Sequence, residues 1–155
     1  LIALLIVVLL LLAAGIGYWF YQRTPAPAPT VAAPAPTATN AEACTLDSMN
    51  SVPELTFVQT CIKAAPDSAK LLEIINQAKA GKHCGVAQRL YANRAQAGDP
   101  LIANAYAREY DPKYLKASEC FPAADNATAA YWYETILTQD PNNVEAKQRF
   151  EELQK

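Results

Sequence analysis

The pattern of hydrophobic and polar positions changes twice along this chain of 155 residues. Residues 1–20 contain no charge and no proline and consist mostly of Leu, Ile, Val and Ala. About 20 such residues, at a rise of about 1.5 Å each, span a hydrocarbon core of about 30 Å. Aromatic residues, which are enriched at membrane–water interfaces, follow from Tyr18 to Tyr21. We predict a transmembrane helix over residues 1–22; a cleaved signal peptide, with its shorter apolar region, is the alternative.

Two features of this first segment predict how it sits in a membrane. Ala13 and Gly17 are four residues apart, a spacing of small residues that lets two transmembrane helices pack closely. Beyond it, Arg23 is the only basic residue before Lys63. Because cytoplasmic flanks carry an excess of Lys and Arg, we expect the C-terminal part on the extracytoplasmic, or periplasmic, side of a cytoplasmic (inner) membrane.

Residues 23–41 are rich in proline and alanine and carry one charge, that of Arg23. The prolines are Pro25, Pro27, Pro29, Pro34 and Pro36. They exclude a continuous helix and favour an extended polyproline II conformation. We predict a linker that holds the following domain away from the bilayer. A proline-rich ligand for a recognition domain is the alternative, but no Arg stands between the prolines.

From residue 42 onwards the pattern is that of helices. Apolar residues recur at spacings of three and four, and no run alternates as a strand would. The stripes include Leu55, Val58, Ile62 and Ala65; Leu71, Ile74, Ile75 and Ala78; Val86, Ala87, Leu90 and Tyr91; Leu101, Ile102, Ala105 and Tyr106; Ala129, Trp132, Tyr133, Ile136 and Leu137; and Ala146, Phe150 and Leu153. We therefore predict an all-α domain over residues 42–155.

Helix boundaries are marked by Pro66-Asp67, Asp99-Pro100 and Asp140-Pro141. Proline is tolerated in the first turn of a helix, and Asp or Asn beside it can cap the free amides. Pro66 and Pro100 are 34 residues apart, and Pro100 and Pro141 are 41 apart. A 34-residue period of paired helices is typical of tetratricopeptide arrays.

Two stretches resemble one family of such arrays, the Sel-one-like repeats. "GDPLIANAYAREYDP" (residues 98–112) resembles the first helix of a repeat, and residues 125–153 resemble the second helix and the one after it. Ala130, Trp132 and Tyr133 stand where that family has its Ala-x-Trp-Tyr signature. The resemblance covers residues 66–153 and implies a short α-solenoid of antiparallel helix pairs that acts as a protein–protein adaptor. The loop from 111 to 125 is longer than the family's compact turn.

The cysteines are Cys44, Cys61, Cys84 and Cys120. An even number behind a membrane-targeting segment predicts two disulfides in an oxidising compartment; buried free thiols in the cytosol are the alternative. Three pairings are possible. Since stacked repeats would place equivalent helix starts side by side, we prefer Cys84–Cys120, across the long loop, and with it Cys44–Cys61.

Candidate chemistry is scarce. His83 is the only histidine, the cysteines lack the spacing of a zinc site, and the chain has no phosphate-binding loop and no hydrolase motif. We expect no catalytic residue, no metal and no cofactor. The formal net charge is −2 and no run of Lys or Arg occurs, so we expect no nucleic acid among the partners. Asn126 begins a glycosylation triplet, although Asp125 or Asn126 as a helix cap is the preferred interpretation.

The one concentration of residues suited to binding is aromatic. Tyr110, Tyr114, Phe121 and Tyr131 belong to it, and Tyr and Trp are enriched in binding hot spots. We predict that these four form an exposed patch for a partner; the alternative is that they pack in the core.

Taken together, these patterns predict a non-enzymatic, membrane-anchored adaptor or accessory subunit. The lipid bilayer and other subunits of a membrane complex are its expected partners, the latter reached through the transmembrane helix and the repeat domain. The alternative is a tethered periplasmic module that binds a soluble ligand or a cell-wall glycan.

Overall fold

A computed structural model describes residues 43–155, which form seven helices and no strand. The helices are α1 (Leu46–Ser51), α2 (Glu54–Ala64), α3 (Ser68–Ala80), α4 (Cys84–Gln96), α5 (Pro100–Arg108), α6 (Asn126–Gln139) and α7 (Val144–Leu153). The all-α prediction is confirmed for this part of the chain. None of these seven helices is both long and apolar enough to cross a membrane. The predicted transmembrane helix with Ala13 and Gly17, and the predicted linker, lie outside the described residues.

Short polar side chains cap most of these helices. Asp67 caps α3, Asp99 caps α5 and Asp125 caps α6, each by accepting a hydrogen bond from the amide three residues further on. Pro100 occupies the first turn of α5, where its missing N–H leaves no helical bond unmade. Each such cap stabilises a helix by about 1 kcal/mol. The caps predicted at Pro66-Asp67, at Asp99-Pro100 and at Asp125 are therefore confirmed.

The boundary predicted at Asp140-Pro141 is a turn between α6 and α7. Asp140 and Pro141 do not open the helix: Asp140 ends α6, and its backbone oxygen accepts the Asn143 amide at 3.1 Å within a turn. Asn143 is the cap, and its side chain accepts the Ala146 amide at 3.0 Å. Asp140-Pro141 separates α6 from α7, as predicted, and the Asp140 side chain stabilises the turn between them by accepting from the Asn142 amide.

The helices pack in order along the chain. Each of α3 to α6 contacts the helix that follows it, and this includes α5 and α6, which are joined by a long loop. Contacts also skip one helix: α1 meets α3, α2 meets α4, α3 meets α5, and α4 meets α6. Two rows of helices result, one containing α3 and α5 and the other containing α2, α4 and α6.

The core follows most of the predicted apolar stripes. Its buried side chains include Leu71, Ile74, Ile75, Ala78, Val86, Leu90, Tyr91, Ile102, Tyr106, Trp132, Tyr133, Ile136, Ala146 and Leu153. Two helices depart from their stripes: on α5 Leu101 is 44% exposed, and on α2 Leu55 is 58% exposed and Ile62 is 40% exposed. Helix α2 buries Phe57, Val58 and Cys61 instead. Cys61 has to face inward because it is bonded to Cys44.

Both disulfides have the pairing preferred from the sequence. Cys44 is bonded to Cys61, which ties the segment before α1 to α2. Cys84, the first residue of α4, is bonded to Cys120 in the loop between α5 and α6. A chain-entropy calculation for loops of 17 and 36 residues gives about 3 and about 4 kcal/mol of stabilisation.

Candidate partner-binding groove

A groove runs between α3 and α5, two helices that begin side by side. The hydroxyl of Ser68, the first residue of α3, donates a hydrogen bond of 2.5 Å to the carboxylate of Asp99, the cap of α5. The ends of the two helices also meet, because Lys79 in the last turn of α3 pairs with Glu109 at the end of α5, so the helices run in the same direction. Residues at spacings of three and four on each helix therefore face the space between them.

The groove has a volume of about 360 Å³. Its lining combines aliphatic, amide and charged side chains: Leu72 and Asn76 from α3, Leu101, Asn104, Ala105 and Arg108 from α5, Tyr91 from α4, and Glu109. Leu101 is exposed although it is a large aliphatic residue. One surface therefore offers both apolar contacts and hydrogen bonds. Binding sites commonly combine the two, because apolar contacts supply affinity and polar groups fix the orientation of the bound molecule.

The floor of the groove is a fixed hydrogen-bonded cluster. The buried ring of Tyr91 stacks on Tyr106 at 4.7 Å between centroids, and its hydroxyl donates to the Glu109 carboxylate at 3.0 Å. Lys79 pairs with the same carboxylate oxygen. Burial raises the pKa of Tyr91, and the negative charge of Glu109 raises that pKa further. Tyr91 is therefore a neutral donor that holds Glu109 in place.

Asn104 has a buried side-chain atom whose hydrogen-bonding capacity is unmet. Its side-chain oxygen is buried and has no partner among residues 43–155. A buried polar group without a partner costs about 1–3 kcal/mol, so such groups are rare in folded proteins.

A second cavity, of about 180 Å³, adjoins the groove at the loop of residues 109–125. We call it the loop cleft. It is lined by Lys79, Arg108, Glu109, Tyr114, Lys116 and Ser118. Arg108 and Glu109 line both cavities, so the groove and the loop cleft meet at these two side chains.

The loop is held in place by a buried ion pair. Asp111, which is fully buried, accepts hydrogen bonds from Arg149 of α7 at 2.6 and 2.8 Å. It also accepts from the hydroxyl of Tyr133 at 3.0 Å and from the backbone amide of Lys113 at 2.9 Å. Burial alone raises the pKa of Asp111, but these hydrogen bonds and the Arg149 charge lower the pKa by more, so it ends below its usual value. Asp111 is thus an anion that ties the loop of residues 109–125 to α6 and α7.

Tyr114 connects the loop cleft to this ion pair. The Arg108 guanidinium lies 4.4 Å from the centre of the Tyr114 ring, and the Arg149 guanidinium lies 5.8 Å from it. Arg108 also pairs with Glu145 of α7, which raises the pKa of the Arg108 guanidinium. These contacts place the cationic head of Arg108 at the junction of the two cavities.

The four aromatic residues predicted to bind a partner do not form one surface patch. Phe121 is only 1% exposed, with its ring edge-on to Tyr110 at 5.5 Å and to Tyr91 at 6.1 Å. Its predicted exposure was wrong, because the disulfide at Cys120 draws this part of the loop into the core. Tyr110 is half-buried against it.

The other two predicted residues are accessible at different places. Tyr114 is half-buried in the wall of the loop cleft. Tyr131 is 50% exposed on α6, with its ring edge-on to the buried Trp132 at 4.8 Å. No further ring of the predicted patch lies against Tyr131.

Sequence reasoning did not find the polar residues of the groove. Asn104 carried a signal, because it is the only polar residue between Pro100 and Arg108 in an otherwise apolar helix. Arg108, four residues later, is on the same face of that helix. Asn76 and Lys116 had no comparable signal, since exposed polar residues are ordinary on helix surfaces and in loops.

Two further observations concern chemistry in residues 43–155. His83 precedes α4, and its ring nitrogen Nε2 lies 2.9 Å from the side-chain oxygen of Asn50. The neighbouring Cys84 is bonded to Cys120 and therefore offers His83 no thiol. No group of three His, Cys, Asp or Glu side chains in this part of the chain is arranged to hold a metal ion.

Comparison of the chain with protein-family models, curated proteins and solved structures finds no match.

Proposed function

We propose that the chain is a membrane-anchored adaptor or accessory subunit whose helical domain docks onto other subunits of a larger complex. The groove between α3 and α5, continuous with the loop cleft, is the observation that carries the proposal. It presents aliphatic, amide and charged groups along one accessible surface. An extended segment of a partner protein fits such a surface, because its main chain needs hydrogen bonds and its side chains need apolar contacts.

A short α-solenoid is the architecture we propose for this domain. Its support is the packing of each of α3 to α6 on the following helix and of each of α1 to α4 on the helix after next, together with the common direction of α3 and α5. The resemblance of residues 98–112 and 125–153 to Sel-one-like repeats supports it further. Solenoids of this kind present long concave surfaces to partners.

Anchoring in the cytoplasmic membrane, with the helical domain on the extracytoplasmic side, is the second part of the proposal. Residues 1–20 are apolar over the length of a membrane span, and the next 20 residues contain five prolines. The two disulfides support an oxidising compartment for residues 43–155. The anchor and the groove would then dock on the same complex.

Co-purification of the full chain tests the adaptor function. A C-terminally tagged chain is extracted from its native membranes in mild detergent, and the captured proteins are identified by mass spectrometry. We expect one or more membrane-complex subunits in constant ratio to the chain. Asn76→Arg, which crowds the groove with a larger charged side chain, should reduce their recovery.

Asn93→Arg is the matched control, because Asn93 is an exposed asparagine of α4 outside the groove. It should capture the same proteins as the unmodified chain. Recovery of the lone chain or only its homo-oligomer would contradict the adaptor function. If both variants reduced the recovery of the partners equally, the adaptor function would not depend on the groove.

The glycan-binding alternative is favoured by one observation, the exposed ring of Tyr131. Sugars stack on such rings, and the edge contact with Trp132 makes indole fluorescence a reporter of binding there. Titration with cell-wall fragments should change the fluorescence of the chain and leave that of a Tyr131→Ala variant unchanged. Absence of any change in the unmodified chain rules this alternative out.

A further inference from the structure

We propose that the loop cleft binds a carboxylate group carried by the partner's docking segment, an inference that rests on the adaptor function proposed above. Three cationic side chains, Lys79, Arg108 and Lys116, line the cleft, against the single carboxylate of Glu109. The lining therefore has an excess of positive charge although the chain as a whole has a formal net charge of −2.

The cations of the loop cleft differ in how far they are already neutralised. Lys79 pairs with Glu109, which also accepts the Tyr91 hydroxyl. Arg108 pairs with Glu145 through one terminal nitrogen, Nη2. Lys116 is exposed and forms no hydrogen bond or ion pair with the described residues. Lys116 is thus the ammonium with unused capacity, and a carboxylate between it and Arg108 meets two cations.

Ser118 supplies a neutral donor at the same place. Its side-chain oxygen accepts a hydrogen bond of 3.2 Å from the backbone amide of Phe121, which leaves the hydroxyl proton free to donate. The hydrogen bonds of Asp111 and the Cys84–Cys120 disulfide fix the loop that carries Lys116 and Ser118. Charge-assisted hydrogen bonds from donors held in this way are the strong class of polar contact.

The shape of the site favours a polypeptide over an anionic membrane surface. The loop cleft continues into the groove, where Asn76 and Asn104 offer amides and Leu72 and Leu101 offer apolar contact. Side-chain amides complement the N–H and C=O groups of a main chain, and the aliphatic residues complement its side chains. A flat lipid surface reaches neither. The occupant is therefore an extended segment with acidic side chains at the end that lies in the loop cleft.

The experiment measures binding of two labelled peptides to the full chain in mild detergent. One peptide alternates Leu and Ala and ends in three Glu residues, and the other has three Gln residues in their place; both have amidated C-termini. Fluorescence anisotropy at low ionic strength should show tighter binding of the Glu peptide by about fivefold or more, because exposed charge pairs are weakly screened there. Added salt should remove the difference.

Lys116→Glu should abolish the preference for the Glu peptide without affecting the fold, since Lys116 holds no other residue in place. Lys147→Glu is the control: an exposed lysine of α7, outside both cavities, with the same change of charge. It should keep the preference within about a factor of two, as expected for a remote surface charge. A preference that survives Lys116→Glu, or equal binding of the two peptides, overturns the carboxylate site.

Two further arms distinguish a peptide from a lipid surface, and the carboxylate site from the adaptor function. Vesicles of phosphatidylcholine and phosphatidylglycerol that bind through Lys116, when the Glu peptide does not, overturn the peptide assignment in favour of a lipid surface. In the co-purification experiment, a Lys116→Glu chain that recovers its partners undiminished overturns the carboxylate site and leaves the adaptor function standing. An unmodified chain that recovers no partner overturns the adaptor function, while the peptide titration still decides the chemistry of the loop cleft.

Discussion

Two segments of the helical domain are each tied down by a disulfide, yet they are held in different ways. The first, residues 43–64, contains α1 and α2 and is closed by Cys44–Cys61; we call it the terminal cap. The second is the loop of residues 109–125, closed by Cys84–Cys120. The cap is held by its disulfide and by buried apolar side chains, whereas the loop adds a buried ion pair and a cluster of aromatic rings.

The polar contacts of the two segments differ in burial. In the cap, Glu54 pairs with Arg89 at the surface, and Asn50 is hydrogen-bonded to His83 in an exposed position. In the loop, Asp111 is fully buried with Arg149. Apolar side chains are stabilised in any arrangement that excludes water, whereas a buried charge is tolerated only beside a charge of opposite sign. The loop, which carries Lys116 and Ser118 of the loop cleft, is therefore positioned specifically.

The largest expected effect comes from breaking the buried pair. Asp111→Asn leaves the Arg149 guanidinium buried without its main anion, and loss of one partner of such a pair costs about 3–5 kcal/mol. Urea unfolding of the purified chain, followed by circular dichroism, measures the loss. Glu54→Gln breaks the exposed pair of the cap in the same way and should cost under about 1 kcal/mol. Similar losses for the two variants would contradict the difference between the segments.

Removal of the disulfides should have the next largest effect on the free energy of unfolding and should show a second difference between the two segments. Replacing Cys44 and Cys61 by Ser should cost about 3 kcal/mol, and replacing Cys84 and Cys120 about 4 kcal/mol, from loop entropy. Hydrogen exchange should distinguish their local consequences. Without Cys44–Cys61, the amides of α1 and α2 should lose protection before the rest of the domain.

Without Cys84–Cys120, the loop should stay closed as long as the domain is folded. The amide of Leu115, bonded to the backbone oxygen of Asp111 at 2.8 Å, should keep its protection because the Arg149 contact remains. Early exchange of this amide, at a free energy well below global unfolding, would show that the disulfide rather than the ion pair positions the loop.

Acid should weaken the loop contact in a defined direction. The pKa of Asp111 in the folded chain is lowered, so the ionised form is favoured there more than in the unfolded chain. Its stabilisation is present above the unfolded value of about 4 and is lost as pH falls through the folded pKa. The free energy of unfolding should therefore fall below about pH 4 more steeply in the unmodified chain than in Asp111→Asn. Equal pH dependence of the two free energies of unfolding would contradict the lowered pKa of Asp111.

The sequence was a good guide to the helices because their signals are local. Asp67, Asp99 and Asp125 cap the helices that their positions predicted, and the apolar stripe around Trp132 and Tyr133 is buried. The site was harder because its residues are brought together by packing. Asp111 and Arg149 are 38 residues apart, and no local pattern pairs them.

The error on α2 has a specific cause. Leu55 and Ile62 form one helical stripe. Phe57 and Cys61, which are four residues apart, form another stripe on a different face of the helix. Spacing alone does not say which of these faces is buried. The predicted disulfide contained the missing information, because a cysteine bonded to Cys44 has to face the segment before α1.

The smallest expected effect tests this outer face of the cap. Leu55→Ser should change the free energy of unfolding by no more than about 0.5 kcal/mol, because substitutions at exposed positions rarely do more. Val58→Ser, three residues along on the buried face, should cost about 2 kcal/mol or more through lost apolar burial and an unpaired hydroxyl. The same urea titration measures both. A loss above about 1 kcal/mol for Leu55→Ser would mean that this face is covered in the folded chain. The terminal cap would then be packed on both of its faces, and it would differ from the loop only because the loop has a buried ion pair.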